Sequence, residues 1–164
     1  WWSLDGSNDS LLSGNLGITN ACTIVVAGRV NSLGATQVLF DEGVNAVQIY
    51  ISTTGAVVLA KPGVGNVLAS SAGVIAAGVP FVLTARLSGG TQVFRNLGVQ
   101  FATTATAITF SATSGAKIGA DFTTGGVLNG ALGWVVPLPT ALSDADCLTV
   151  ERLVSSQFPN GPVF

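Results

Sequence analysis

Apolar and polar residues alternate along most of this chain with a period of two, the repeat of a strand that buries one face. In ACTIVVAGRV (21–30), Cys22, Ile24 and Val26 fall on one side and Thr23, Val25, Ala27 and Arg29 on the other. AVQIYIS (46–52) sets Val47, Ile49 and Ile51 against Gln48, Tyr50 and Ser52. The turn residues TTG then lead into AVVLA, which predicts a hairpin. PFVLTARLS (80–88) points Phe81, Leu83, Ala85 and Leu87 inward and Thr84, Arg86 and Ser88 outward. ATTATAITFSAT (102–113) carries the same alternation through Ile108 and Phe110. GVLNGALGWVV (126–136) continues it, with Leu128, Leu132, Trp134 and Val136 opposing Asn129, Ala131 and Val135, so Trp134 reads as core. Gly, Asn and Ser punctuate these runs about every eight to twelve residues, the spacing of a β-sandwich. Strands buried on one face imply antiparallel sheets.

One segment departs from this rhythm. LSDADCLTVERLVSSQF (142–158) has Cys147, Val150 and Val154 at helical spacing. Ser143 is placed to cap its N-terminus, with Asp146 three residues later as an aspartate version of the capping box. Asp144 and Asp146 complement the positive end of the helix dipole. With no linker and no long repeat, residues 1–164 read as a single domain.

Composition narrows the function classes. Charged residues make up 9% of the chain and mean hydropathy is +0.61, against about 25% charged in an ordinary soluble domain. The longest apolar runs, such as GVIAAGVPFVL, fall short of the roughly 18 residues of a membrane span, so no membrane insertion is expected. An unusually apolar surface, buried by neighbours in an assembly, accounts better for the hydropathy, although abundant Ala, Gly and Val raise the index too. Net charge is −2, and the six basic residues are scattered without the stripe that a nucleic-acid binder needs. WWSLDG opens the chain with neither the basic region nor the apolar core of a signal peptide. The sequence contains no Met, as in a mature or excised piece. Cys22 and Cys147 permit one disulfide; they also read as two small buried hydrophobes.

The absence of histidine removes Ser-His-Asp and Cys-His nucleophile systems and any His-containing zinc site. GVGNVL (63–68) lacks the ending of a phosphate loop and reads as a turn.

Three stretches together resemble the concanavalin A-like superfamily, specifically its laminin-G-like and pentraxin-like jelly rolls. LDGSNDSL (4–11) resembles the opening strand of that family. FVLTARLSGGTQVFRNLGVQ (81–100) resembles its central hairpin, which ends in aromatic-x-Asn-Gly. Residues 117–158 resemble the closing unit, an Ile-Gly strand, a loop, a second strand and a short helix after LSDAD. The expected fold is therefore all-β: an antiparallel two-sheet jelly-roll sandwich of about a dozen strands with one short C-terminal helix. In the family the aromatic-x-Asn-Gly corner is architectural. Here Asn96 is followed by Leu97 and only then by Gly98, which suggests a turn one residue longer.

The superfamily includes glucanases, whose chemistry needs two carboxylates about 5–9 Å apart. This chain has two glutamates, Glu42 and Glu151, far apart in sequence. Asp144 and Asp146 cap the helix, and Asp41 and Glu42, being adjacent, would point oppositely on a strand. No catalysis is expected. Laminin-G-like and pentraxin-like domains often bind calcium at rim loops, which makes Asp41, Glu42 and Asp121 candidate ligands, with Asn45 and Asn129 nearby in their loops; a reading as solvated turn residues stands beside it. For glycan binding the candidates are Tyr50, Asp41 and Asn45, with an aromatic ring to stack on a sugar and polar groups to meet its hydroxyls. Trp1 and Trp2 are candidate interface residues.

The expected role is a structural virion-surface protein, a tailed-phage capsid decoration or fibre component. It would act by self-association or by docking on a capsid or fibre protein, as modules resembling this one do. The alternative is a lectin-like adhesion module for cell-surface glycan. Either role places the chain on a virion surface or outside a cell.

Overall fold

A computed structural model describes residues 2–111, 115–122 and 126–157. Two six-stranded antiparallel sheets face each other, and one helix lies on the outside of the first. The first sheet comprises β1 (Trp2–Asp5), β3 (Ala21–Val30), β8 (Pro80–Ser88), β9 (Gln92–Asn96), β10 (Val99–Thr104) and β12 (Asn129–Leu138), in the order β1-β12-β3-β8-β9-β10. The second comprises β2 (Leu11–Leu12), β4 (Gln37–Asp41), β5 (Gln48–Ile51), β6 (Val57–Lys61), β7 (Gly65–Ala69) and β11 (Lys117–Ile118), in the order β2-β11-β4-β5-β6-β7. This is the jelly-roll sandwich that the alternation implies.

The main core lies between the sheets. Ile24 and Val26 of β3 and Phe81, Leu83, Ala85 and Leu87 of β8 meet Val47, Ile49 and Ile51 across it, with Leu128 and Leu132 at one side. Fully burying a Leu, Ile or Phe side chain is worth about 1.5–3 kcal/mol, so this set of inward positions dominates the folding energy.

Helix α1 (Asp144–Ser156) begins where the capping signature places it: the Ser143 hydroxyl accepts from the Asp146 amide at 3.2 Å and donates to the Asp146 carboxyl at 2.6 Å. It packs against β3 and β8. Val25, Ala27 and Val82, on the outer face of the first sheet, form a second core with Val154, Val136, Val150 and Leu97. β3 and β8 are therefore buried on both faces, whereas the alternation implies one. Thr84, expected outward, is fully buried.

Three further expectations are corrected. A bulge between Leu132 and Trp134 shifts the register of β12 against β3. Leu132 stays in the main core, while Trp134 pairs with Ala27 on the helix side and is 46% exposed. One extra residue in a strand reverses the facing of everything after it. The strand pattern of residues 102–113 ends at Thr104; Ile108 and Phe110 pack on the core from irregular chain. Residues 112–114 lie outside the described ones. Lastly, the β9–β10 turn is not lengthened: Asn96 pairs with Val99. The two-residue loop is Leu97 (φ 50°) and Gly98 (φ 83°), both left-handed as a type I′ turn requires.

Cys22 and Cys147 are free and buried. Cys22 belongs to the core between the sheets, Cys147 to the helix outside them, so the first sheet keeps them apart. Burial, with the Glu42 carboxylate a lesser contributor, pushes the Cys22 thiol up to about 12, which leaves it without thiolate character at neutral pH.

Candidate functional site

The Arg95–Asn96 corner belongs to the fold. Arg95 is almost fully buried; one guanidinium nitrogen contacts Asp144 at 2.7 Å and another donates to the Gly98 carbonyl at 3.2 Å. Arg86 contacts the same Asp144 oxygen and also donates to the Leu142 carbonyl. The hydrogen bond from Arg86, joined by that from Arg95, holds the Asp144 carboxyl below the usual carboxylate range. Glu151, fully buried, accepts from the Gly98 amide at 2.6 Å and lies 3.9 Å from Arg95. These contacts bind the N-terminal turn and middle of α1 to the β9–β10 hairpin. The outer face of the first sheet is thus covered over β3 and β8.

Among the described residues, the outer face of the second sheet is open over β4 and β5. A cleft of about 670 Å³ lies over β4 and β5. Its walls come from the loop of residues 32–36 on one side and from Asp121, Gly126, Val127 and Asn129 on the other. Tyr50 and Val38 are neighbours across β4–β5 and share this face; Ile49 and Ile51 turn into the core. The half-buried Tyr50 donates its hydroxyl to Asn66 of β7 at 2.9 Å, which holds the ring over the sheet. Gln37 spans the cleft floor: its amide nitrogen donates to the Ala35 carbonyl at 2.9 Å, and its amide oxygen accepts from the Asn129 backbone at 2.7 Å. Gln48 donates to Asp41 at 3.3 Å.

The residues singled out from the sequence fall in different places. Tyr50 and Asp121 line the cleft. Asp41 lies beneath it, fully buried, and accepts from the amides of Gly43 at 2.7 Å and Phe122 at 2.9 Å as well as from Gln48. These bonds tie the β4–β5 turn to the chain that follows β11, a structural task. Asn45 is exposed in the β4–β5 loop at φ 63°, a left-handed position that asparagine tolerates. It does not line the cleft. Glu42 is buried with Oε2 lacking a hydrogen-bond partner. Burial, and to a lesser degree the neighbouring Asp41, pushes its carboxyl up to about 7. Among the described residues no three His, Cys, Asp or Glu side chains form a group able to hold a metal ion. Asp41, Glu42 and Asp121 therefore do not converge as a carboxylate cage for calcium. Trp2 sits on edge strand β1 opposite Leu132, 48% exposed; Trp1 lies outside the described residues.

Two features were harder to see in the chain. The cleft wall of Thr36, Gln37 and Asn129 joins residues about ninety positions apart. Only Gln48 carried a local signal, since the period of two places it on the face of Tyr50. The second feature is an apolar groove of about 360 Å³ between β12 and α1, lined by Trp134, Val136, Leu138, Val150 and Leu153. It exists because the bulge turns Trp134 outward. Among the described residues no helix is long and apolar enough to cross a membrane.

No family model and no curated protein matches the sequence. Solved structures do match, and they place the fold among the concanavalin A-like jelly rolls. A native heptameric SAP-like pentraxin from Limulus polyphemus superposes with a TM-score of 0.73 at 17% identity, covering 91% of this chain and 80% of the pentraxin. The CBM40 of the Ruminococcus gnavus IT-sialidase, bound to α2,3-sialyllactose, superposes with a TM-score of 0.64 at 15% identity, covering 92% and 97%. Domains LG4-5 of the mouse laminin α1 chain give 0.63 at 16% identity, covering 86% and 43%. At such identities the likeness is one of fold.

Proposed function

We propose that this chain is a non-catalytic, lectin-like glycan-binding module acting outside the cell. The observation that carries the reading is the open cleft over β4 and β5, where Tyr50 stands among hydroxyl and amide side chains. A partly buried ring beside fixed polar groups suits a sugar, which offers an apolar face for stacking and hydroxyls for hydrogen bonding. The fold is shared with a carbohydrate-binding module crystallised with sialyllactose, which adds support of the fold-level kind. The acids that a glycosidase would need find no support either: Asp144 is tied to arginines and Glu151 is enclosed beneath the helix.

The test is a glycan array probed with the soluble chain, followed by calorimetry on any glycan that binds. Binding that Tyr50→Ala lowers at least tenfold supports the reading; binding indifferent to Tyr50 moves the site elsewhere and defeats it. The alternative role, a virion-surface component that assembles with itself or docks on a capsid or fibre protein, draws on the low charge and on the apolar β12–α1 groove. Light scattering with and without calcium separates the two. A calcium-independent trimer or larger assembly without glycan binding favours the structural role; a monomer that binds glycan favours the lectin.

A further inference from the structure

Resting on the glycan-binding reading, we infer that the β4–β5 cleft selects an uncharged sugar and rejects sialylated or sulfated ones. One carbohydrate-binding module of the same fold was solved bound to sialyllactose, so simple transfer from the fold would suggest an acidic sugar. The cleft wall argues otherwise, chiefly on charge.

The wall contains one acidic side chain, Asp121, and no basic one. Each of the six basic residues is accounted for elsewhere. Arg86 and Arg95 hold α1 from the opposite sheet. Lys61 donates to the Thr109 carbonyl at 2.7 Å. Arg29 belongs to β3 of the first sheet and Arg152 to α1. Lys117 comes nearest, yet its ammonium donates to the Asp121 carbonyl at 3.0 Å and lies 4.9 Å over the Phe122 ring. A carboxylate or sulfate entering the cleft would lose its hydration and meet no cation among the described lining residues, Lys117 being engaged at the cleft's edge, a costly transfer.

The wall can both give and take hydrogen bonds. Tyr50 has given its hydroxyl hydrogen to Asn66 and keeps oxygen lone pairs. Gln48 gives one amide hydrogen to Asp41 and keeps the other and its oxygen; the Asn129 side-chain oxygen accepts from Asn31 and its amide hydrogens remain. A sugar hydroxyl both donates and accepts and can use both kinds of group, whereas a carboxylate or sulfate only accepts.

The deciding experiment presents the full chain with neutral oligosaccharides paired with their sialylated and sulfated counterparts, lactose beside 3′-sialyllactose among them. The expected result is binding to neutral members, at least tenfold weaker binding to their acidic partners, and little change from low to high salt. Tyr50→Ala should abolish the signal, and so should Thr36→Trp, which fills the cleft from an exposed loop position and leaves the core intact. Binding confined to acidic members, still lost in both variants, overturns the neutral-sugar assignment and leaves the lectin reading standing. Binding to no glycan overturns both.

Discussion

The two outer faces of the sandwich differ in what covers them. The first sheet is covered by α1, which adds a second apolar core over Val25, Ala27 and Val82 and draws Arg86 and Arg95 into contact with Asp144. Among the described residues, the second sheet has no such cover over β4 and β5, and there the polar side chains of one face line a cleft. On the covered face, polar residues are structural because they are enclosed and paired. On the open face, the same residue types keep unused hydrogen-bonding capacity. Position under a covering layer, more than residue type, separates an architectural arginine from a tyrosine left facing a cleft.

That contrast can be broken first at Arg95. Arg95→Met leaves Glu151 buried without its nearby cation, and a loss of about 3–5 kcal/mol in unfolding free energy is expected, measured by urea denaturation. Glycan binding per folded molecule should be unchanged, because the cleft lies on the other sheet; a binding loss in the folded variant would mean the two faces are coupled.

Glu42 gives the next largest effect. Its carboxyl, near 4.5 when unfolded, is raised to about 7 in the folded protein. The folded state then holds the proton more tightly, so this group stabilises most below pH 4.5, and the contribution is lost as pH rises to about 7. The span corresponds to about 3 kcal/mol at most. Glu42→Gln should flatten the decline between those pH values and leave the variant more stable above pH 7. A wild-type stability that rises through this window would contradict the burial of this carboxylate.

Tyr50→Ala should sharpen the comparison from the open side, lowering glycan affinity at least tenfold while shifting stability by less than Arg95→Met does. Tyr50→Phe keeps the ring but loses the bond to Asn66, and an intermediate affinity is expected by calorimetry. The smallest change is at the helix cap. Ser143→Ala removes the acceptor for the Asp146 amide and should cost about 1 kcal/mol, seen as a lower Tm with no change in binding.

Much of the fold was legible because inward positions recur every second residue. Ile24, Val26, Leu83 and Ile49 lie where the alternation places them. The cap of α1 was legible too, since Ser143 and Asp146 act on each other locally. Of the candidate site, Tyr50 was legible for the same periodic reason, and Asp121, singled out as a calcium candidate, lines the cleft. Asp41 and Asn45 were chosen for their residue type; one is committed to backbone amides and the other stands in an exposed loop.

The sequence by itself determined most of the strands, most of their inward faces and the start of the helix, because those depend on neighbours within a few residues. Only the tertiary structure decided that β3 and β8 are buried on both sides, that Trp134 faces outward, and that the disulfide cannot form. It also brought Thr36, Tyr50, Asp121 and Asn129 to one cleft. Trp134 turns on the bulge in β12. The other three outcomes share a physical reason: each depends on which distant layer covers a surface, and alternation along a strand records that a residue has two sides without recording what will be packed against either.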